Sequence, residues 1–167
     1  MSSRQSGTDS IRGAAHQAQP ALVVGNQYVR SAALTVANTP AVFALVNGTP
    51  PNVRLVVDVS ARQLAENQPD FEVTLVMRAQ GHVTPGSDAA AAPVSVYEAD
   101  ISYAGLFRVA PGQQENLETL LLIDAPRMIF PAARSLLLTL VREAGFPVAN
   151  IQPVDFVALW HSRRARA

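Results

Sequence analysis

In four segments of the chain, mostly apolar side chains recur at every second residue, which is typical of β-strands with one buried face. No helical pattern separates them, so the chain has no place for the crossover helices that parallel strands need. The residues on one side of each predicted strand are Tyr28, Arg30, Ala32, Leu34 and Val36; Val53, Leu55, Val57 and Val59; Phe71, Val73, Leu75 and Met77; and Tyr97, Ala99, Ile101 and Tyr103. The sequence therefore predicts a four-stranded antiparallel sheet whose last strand ends near Tyr103.

Helical spacing is confined to the part of the chain that follows the fourth strand. Pro131 suits the first turn of a helix, and Gly145 followed by Pro147 predicts its end. The apolar residues at helical spacing between these points are Ala133, Leu136, Leu137, Leu140 and Val141. We therefore predict a main helix over residues 131–144.

The main helix has a second side that is not purely polar. Leu138 lies there among Arg134 and Arg142, so this side offers a second packing surface. A shorter helix predicted from Pro153 places Phe156, Leu159 and Trp160 on one stripe. Because the strands come first and the helices follow, the fold class is α+β, with the helices packed on one side of the sheet.

The remaining regions define how the chain is organised. Residues 1–20 show no hydrophobic period and predict a disordered N-terminal arm. A single domain is predicted over residues 21–161, and residues 162–167 form a short Arg-rich tail. The connection between the first two strands contains Phe43 and Leu45, and apolar side chains in such a connection often mark a binding site.

The composition excludes several classes of function. All 13 basic residues are Arg, which excludes chemistry that needs a lysine amine, including nucleotide hydrolysis by a P-loop. There is no Cys, and His16, His82 and His161 are not spaced to share a metal, so we expect no metal and no cofactor. The net charge of zero does not favour nucleic acid as a partner. Since no segment fits a signal peptide or a membrane span, we expect a cytoplasmic protein that does not insert into the membrane.

Two groups of side chains admit both a structural and a functional interpretation. Glu98 and Asp100 lie two residues apart on the fourth strand and share one face, where paired carboxylates would allow acid catalysis. Solvation of the outer face, or docking of a partner, is the simpler interpretation and implies that the protein is not an enzyme. The aromatic residues Phe43, Phe156 and Trp160 are either core residues or ligand contacts, and the spacing alone leaves both open.

The second half of the chain carries an ordered set of short motifs. They are Gly105-Leu106-Phe107, Pro126-Arg127-Met128-Ile129-Phe130-Pro131-Ala132-Ala133-Arg134, Gly145-Phe146-Pro147, and Pro153-Val154-Asp155-Phe156-Val157-Ala158-Leu159-Trp160. In order and spacing this set resembles the signature of the SecB family of export chaperones. Upstream matches are Tyr28-Val29-Arg30, Asn38-Thr39-Pro40-Ala41-Val42-Phe43, Gln63-Leu64-Ala65 and Phe71-Glu72-Val73, with short insertions between them. The resemblance extends over residues 28–160.

The resemblance implies a fold, an assembly and an activity. The fold is a four-stranded antiparallel Greek-key sheet with a long helix and a short C-terminal helix. The assembly is a homotetramer, a dimer of dimers in which the long helices lie between the sheets, with Arg134, Leu138 and Arg142 at the interface. The activity is that of an ATP-independent holdase, which binds unfolded secretory precursors in the cytoplasm and delivers them to SecA, the motor ATPase of the translocation channel.

The resemblance also implies two functional surfaces. One is a groove for unfolded peptide between the first long connection and the last helix, lined by Phe43, Leu45, Phe156, Leu159 and Trp160. The other is an acidic docking face for SecA on the exposed side of the sheet, where Asp100 matches an acidic position of the family and Glu98 lies beside it. Ser31 and Thr35 stand where the family pattern has acidic residues, so we expect weaker or differently placed docking.

Two alternative functions remain open at this stage. The first is a SecB-like chaperone that serves a toxin-antitoxin pair, which the weakened acidic face permits. The second is a small-molecule binder or an enzyme on the same α+β scaffold, because a fold alone does not fix a function. An open groove favours a chaperone, whereas a closed pocket with convergent polar groups favours a small ligand.

Overall fold

Four strands form one antiparallel sheet in the order β1-β4-β3-β2 in this computed structural model, which describes residues 19–86 and 90–166. The strands are β1 (Leu22–Val36), β2 (Asn52–Gln63), β3 (Asp70–Val83) and β4 (Val94–Val109). The helices are α1 (Val42–Val46), α2 (Leu117–Thr119), α3 (Ala125–Glu143) and α4 (Phe156–Arg164). Most of the predicted N-terminal arm, residues 1–18, lies outside the described residues.

The order of the strands makes the sheet a Greek key. Strands β2, β3 and β4 follow one another as antiparallel neighbours, while β1 pairs with β4 on the far side. The connection between β1 and β2 therefore crosses from one edge of the sheet to the other. The predicted α+β class and four-stranded antiparallel sheet are confirmed, although β4 extends to Val109 and does not end near Tyr103.

The core lies on one face of the sheet, which we call the inner face. Alternate residues of β3 point to this face and have less than a tenth of their surface exposed, namely Phe71, Val73, Leu75, Met77 and Ala79. Helix α3 packs across β1, β3 and β4 on the same side. Its buried side chains recur at helical spacing and include Ile129, Ala133, Leu137 and Val141. The core therefore forms between every second residue of the strands and the buried side of α3, whose residues recur at helical spacing.

A β-bulge at Arg30 changes which side chains of β1 share a face. The register pairs Val29 with Tyr103 and Ser31 with Ser102, which leaves one extra residue in β1. Tyr28 and Arg30 therefore lie on the outer face of the sheet, where both bond to Glu72. The prediction that they share a side with Ala32, Leu34 and Val36 is wrong, since an alternation pattern contains no information about an inserted residue.

The main helix begins well before Pro131, so the predicted start is wrong. A 3₁₀ turn (Gln114–Asn116), α2, a π-helical turn (Leu120–Asp124) and α3 follow one another without a break. Pro131 lies inside α3, where its missing N–H leaves the carbonyl of Arg127 without the usual intrahelical donor. Arg127 is exposed, so water can satisfy that carbonyl. Pro126 is the second residue of α3 and directly follows the π-helical turn.

The end of the chain folds back along α3. Gly145 follows the helix with a φ of 92°, in the left-handed region that favours glycine. Asp155 caps α4 by accepting a hydrogen bond from the Ala158 N–H at 3.0 Å. Because α4 continues to Arg164, the first half of the predicted tail is helical. Within residues 19–86 and 90–166, no helix has the length and apolar character required to cross a membrane.

The tight contact between Gly81 and Tyr97 provides a test of the sheet packing. A Cβ atom at Gly81 would lie 2.4 Å from the Tyr97 ring, because Gly81 pairs with Tyr97 across β3 and β4. We expect Gly81→Ala to lower the free energy of unfolding by about 1–3 kcal/mol, measured by urea denaturation. Gly25→Ala is the control, since its new Cβ would meet ordinary contacts at 3.5 Å or more. Equal stability of the two variants would contradict this packing.

Candidate functional site

Helix α1 exposes two apolar side chains on a base that is itself buried. Val42 and Val46 lie four residues apart and bury one side of α1, so Phe43 and Leu45 face solvent, with 40% and 44% of their surface exposed. The Phe43 ring packs at 5.4 Å from the ring of Phe146, which is buried. We call the exposed side chains of Phe43 and Leu45, with the Phe146 ring beneath them, the α1 patch. The α1 patch is therefore an apolar surface that is exposed to solvent and packs on a buried ring.

The α1 patch is anchored to the sheet by a run of aromatic contacts. The Phe146 ring lies between Phe43 and Tyr97, with its centroid 5.0 Å from that of Tyr97. Tyr97 is buried, and burial raises the pKa of its hydroxyl above the ordinary value. Contact with the core restricts the motion of the patch, so less conformational entropy is lost when a ligand binds to it.

Helix α4 presents a second, smaller set of partly exposed side chains. Trp160 is half-buried and donates a hydrogen bond from Nε1 to Glu118 at 3.0 Å. The Arg164 guanidinium lies 4.8 Å from the centre of the Trp160 ring, within the range of a cation–π interaction. Leu159 is also partly buried against the core. We call Leu159, Trp160 and the Arg164 guanidinium the α4 patch.

Phe156, the fifth residue of the predicted groove, lies in the core. Only 1% of its surface is exposed, and its ring packs edge-on against Phe130 with centroids 5.8 Å apart. A bound peptide would not reach Phe156 in this conformation. The helical stripe that the sequence predicts is therefore divided, with Phe156 facing inward and Leu159 and Trp160 at the rim.

The two patches lie at opposite ends of α3. Phe43 contacts Phe146, three residues after α3 ends, whereas Trp160 is bonded to Glu118, seven residues before α3 begins. A helix of 19 residues spans about 28 Å. The predicted groove residues thus form two separate apolar surfaces, and their joint use by one bound chain stays a prediction.

Arg163 fastens α4 to the free edge of the sheet. Its guanidinium bonds to the carboxylate of Asp58 and donates a hydrogen bond to the carbonyl of Val59, both on the edge strand β2. The Val59 N–H is bonded to the Asp58 carboxylate at 3.1 Å. The sequence predicted a tail at Arg163 and contains no sign of this role, which depends on the approach of α4 to β2 in space.

The outer face of the sheet brings together all four residues predicted for docking. Thr35 pairs with Glu98 and Ser31 pairs with Ser102, so the β1 residues flank the acidic residues of β4. Both carboxylates have partners on β3. Arg78 bonds to Asp100 at 3.0 Å, and the side-chain amide of Gln80 bonds to Glu98 at 3.1 Å. The acidic character of this end of the face is therefore partly neutralised.

A further carboxylate, which the sequence does not single out, lies on the outer face near the start of β3. Glu72 is 5% exposed, and its carboxylate accepts hydrogen bonds from Tyr28, from Arg30 at 3.1 Å and from Arg62 at 2.9 Å. The hydrogen bond from Arg62, together with that from Tyr28, lowers the pKa of Glu72 below its ordinary value. The Glu72 contact in turn raises the pKa of Tyr28.

Small neighbours allow this cluster to form across several strands. Ala104 of β4 lies between Tyr28 of β1 and Thr74 of β3, so the side chains of Tyr28 and Arg30 can pass over β4. Arg62 pairs with Glu72 directly across β2 and β3. The cluster therefore ties the two edge strands to the centre of the sheet. Arg30 and Arg62 both precede Glu72 in the sequence and lie on other strands, so no local pattern indicates the cluster.

The residues predicted for a tetramer interface have different surroundings on α3. Arg134 donates a hydrogen bond to the carbonyl of Ile151 at 3.0 Å and so holds the C-terminal segment of its own chain. Leu138 is half-buried and Arg142 is exposed, so both remain accessible on a single chain. Their contact with a second copy stays a prediction. Within the described residues, no three His, Cys, Asp or Glu side chains group together as metal ligands.

Comparison with known proteins identifies the family. The model of the family described as preprotein translocase subunit SecB matches residues 15–167. A protein-export protein SecB of Granulibacter bethesdensis is 40% identical over 160 residues, which cover 95% of this chain and 91% of that protein. A protein-export protein SecB of Rhodopseudomonas palustris is 37% identical over 150 residues, covering 90% of this chain and 88% of that protein.

A solved structure agrees with the fold. A SecB-like chaperone of Mycobacterium tuberculosis, in complex with a peptide from an antitoxin, superposes with a TM-score of 0.61. The match covers 80% of this chain and 91% of that one, at 14% sequence identity, so it supports the fold alone. The chain belongs to the SecB family of protein-export chaperones. This membership confirms the predicted family and implies binding of unfolded client proteins, and it favours a non-enzymatic role.

The low pKa of Glu72 predicts how stability depends on pH. A carboxylate whose pKa is lower in the folded than in the unfolded state stabilises the fold at neutral pH and loses that contribution as pH falls. We expect the free energy of unfolding to fall as pH decreases below 4.5, the ordinary value for Glu72. Glu72→Gln should destabilise the protein by about 1–3 kcal/mol at neutral pH and reduce this dependence, as measured by urea denaturation across a pH series.

Asp70→Asn is the matched control for this experiment. Asp70 also has a lowered pKa, because Arg108 bonds to it, but this pair lies at the exposed end of the face. An exposed pair contributes less to stability than a buried one. If Asp70→Asn changed the pH dependence more than Glu72→Gln, the Glu72 cluster would not be the main acid-sensitive contact.

Proposed function

We propose that this chain is an ATP-independent holdase that binds unfolded secretory precursors in the cytoplasm and delivers them to SecA, with no catalytic step of its own. The observation that carries the proposal is the α1 patch, where Phe43 and Leu45 are exposed on a buried aromatic base. An unfolded chain offers apolar side chains that such a surface can cover, whereas a folded protein has buried them. Binding only the unfolded state shifts the folding equilibrium by mass action and needs no ATP.

Two separated patches suit an extended chain better than a compact ligand. The α1 and α4 patches lie at opposite ends of α3, a helix of 19 residues that is about 28 Å long. An extended polypeptide bridges that distance with about nine residues. We propose that the patches of four chains, assembled as a dimer of dimers through α3, act together, so that weak contacts combine through effective concentration.

SecA is proposed to dock on the outer face at Asp100 and Glu98, beside Ser31 and Thr35. Arg78 and Gln80 already occupy these carboxylates, so a basic partner must compete with them. We therefore propose that this contact is weaker than docking on unpaired carboxylates and is sensitive to salt. It would increase the rate of association more than the affinity of the complex.

A second candidate function is that of a chaperone dedicated to an antitoxin. Two observations favour it: the partly neutralised outer face, and the fold shared with a chaperone that binds an antitoxin peptide. Both candidates use the same patches for the client and differ in what binds the outer face. A chaperone that retards precursor folding but has no affinity for SecA would favour the second candidate.

The α1 patch is tested by placing a charge on it. We expect Leu45→Asp to raise about tenfold the concentration needed to retard refolding of a slow-folding precursor, because the lost apolar burial is about 1.5 kcal/mol or more. Refolding is followed by recovery of the precursor's native fluorescence. Val56→Asp is the matched control, since Val56 is 51% exposed but lies on β2 opposite Arg78, on the outer face.

The comparison of Leu45→Asp with Val56→Asp distinguishes a loss of client binding at the α1 patch from a general loss of exposed apolar surface. If Val56→Asp impairs the retardation as much as Leu45→Asp, capture does not depend on the α1 patch. If the unaltered protein does not retard refolding at all, the holdase proposal fails.

The outer face is tested by two substitutions with opposite expected effects. Asp100→Asn should weaken binding to purified SecA, because it removes a carboxylate from the proposed contact. Arg78→Gln should strengthen binding, because it removes the cation that occupies Asp100. We expect changes of about two- to fivefold in Kd at low salt, measured by calorimetry. A change of the same sign in both variants would contradict docking at Asp100.

A further inference from the structure

The Glu72 cluster on the outer face has more positive than negative charge. Arg30 and Arg62 share the single carboxylate of Glu72, and the third group, Tyr28, is kept neutral because the Glu72 contact raises its pKa. Both arginines bond to the same oxygen atom, Oε1, at 3.1 and 2.9 Å, so their guanidinium groups lie side by side. One positive charge therefore remains without a counter-charge.

The two guanidinium groups are also incompletely hydrogen-bonded. Arg62 uses Nε, and Arg30 uses Nη1, which bonds to Glu72 and to Thr74. Among residues 19–86 and 90–166, the Nη groups of Arg62, and Nε and Nη2 of Arg30, have no hydrogen-bond partner. The side chains are 47% and 63% exposed for Arg30 and Arg62, so these donors can be reached from solvent.

The buried carboxylate fixes the two arginines in place before any partner arrives. A guanidinium group held at a known orientation loses less entropy on binding than a free one. Ala104 and Thr74, which lie beside the cluster, have small side chains and leave the sheet surface open. Together these features make a flat, preformed surface for a carboxylate.

We propose that Arg30 and Arg62, held by Glu72, form a docking site for an acidic polypeptide segment of a partner protein. A carboxylate from that segment would accept charge-assisted hydrogen bonds from the free donors and would balance the remaining positive charge. The site goes beyond the proposed function, because it is separate from the α1 and α4 patches and from the carboxylates of Asp100 and Glu98, although Arg30 adjoins Ser31 on the same face.

The other arginine pairs of the outer face do not have this surplus. Arg108 bonds to Asp70 through Nε and Nη2 at 2.7 and 2.9 Å, one cation to one carboxylate. Arg78 is also paired one to one with Asp100, through Nε alone. Arg54 lies singly on the same face opposite Gln80, so among the described residues two arginines are held together by one carboxylate only in the Glu72 cluster.

The proposal is tested with the full chain and a fluorescein-labelled peptide of eight residues that contains four Glu, followed by fluorescence anisotropy. We expect saturable binding that weakens with added salt and is absent for the same peptide with Gln in place of Glu. Arg30→Gln and Arg62→Gln should each weaken binding about two- to fivefold, and the double variant more. Arg108→Gln, which changes the net charge equally, should leave the affinity unchanged.

Absence of binding by the Glu peptide would overturn the proposal. Three results with a peptide that binds would also overturn it. The first is equal binding of the Glu and Gln peptides, and the second is an equal effect of Arg108→Gln. The third is displacement of the Glu peptide by an excess of denatured precursor, because that would place the peptide on the client surface. Failure of the holdase assay with intact binding of the Glu peptide would count against the proposed function alone.

Discussion

The burial of one face of the sheet under α3 is the interaction on which the rest of the structure depends. Leu75 and Met77 of the sheet and Ile129 and Leu137 of the helix are fully buried, so neither layer is stable without the other. Because α3 occupies the centre of this face, the apolar side chains of α1 and α4 are displaced to its two ends. The positions of both patches follow from the length of one helix.

The alternation of side chains predicted the strands well because burial on one face imposes a period of two. It did not predict the bulge at Arg30, since an inserted residue shifts the pattern without changing its composition. The start of α3 was missed because Pro131 was interpreted as a first-turn residue, although an exposed proline is tolerated within a long packed helix. The burial of Phe156 could not be foreseen, because a stripe of three aromatic and aliphatic residues does not specify which of them faces inward.

On the outer face, pairing across strands changes the charge that a residue presents to solvent. In the sequence, Asp100 and Glu98 indicated an acidic surface. Its negative charge was expected to be lower than in the family, because Ser31 and Thr35 stand at positions that are acidic in the family pattern. In the structure, Arg78 neutralises one of these acids, and an unforeseen carboxylate, Glu72, holds two arginines. The electrostatic character of this face is therefore set by neighbours on other strands, which sequence order alone does not reveal.

The contact of Arg163 with β2 has a consequence for a protein that works beside unfolded chains. A bare edge strand is a template on which foreign strands can be added, and repeated addition leads to fibrils. Arg163 occupies the outward carbonyl of Val59 and Asp58 occupies its N–H, so both backbone groups are taken at this point of the edge, where a charged side chain is also present. Addition of a foreign strand to β2 is therefore blocked at this point of the edge.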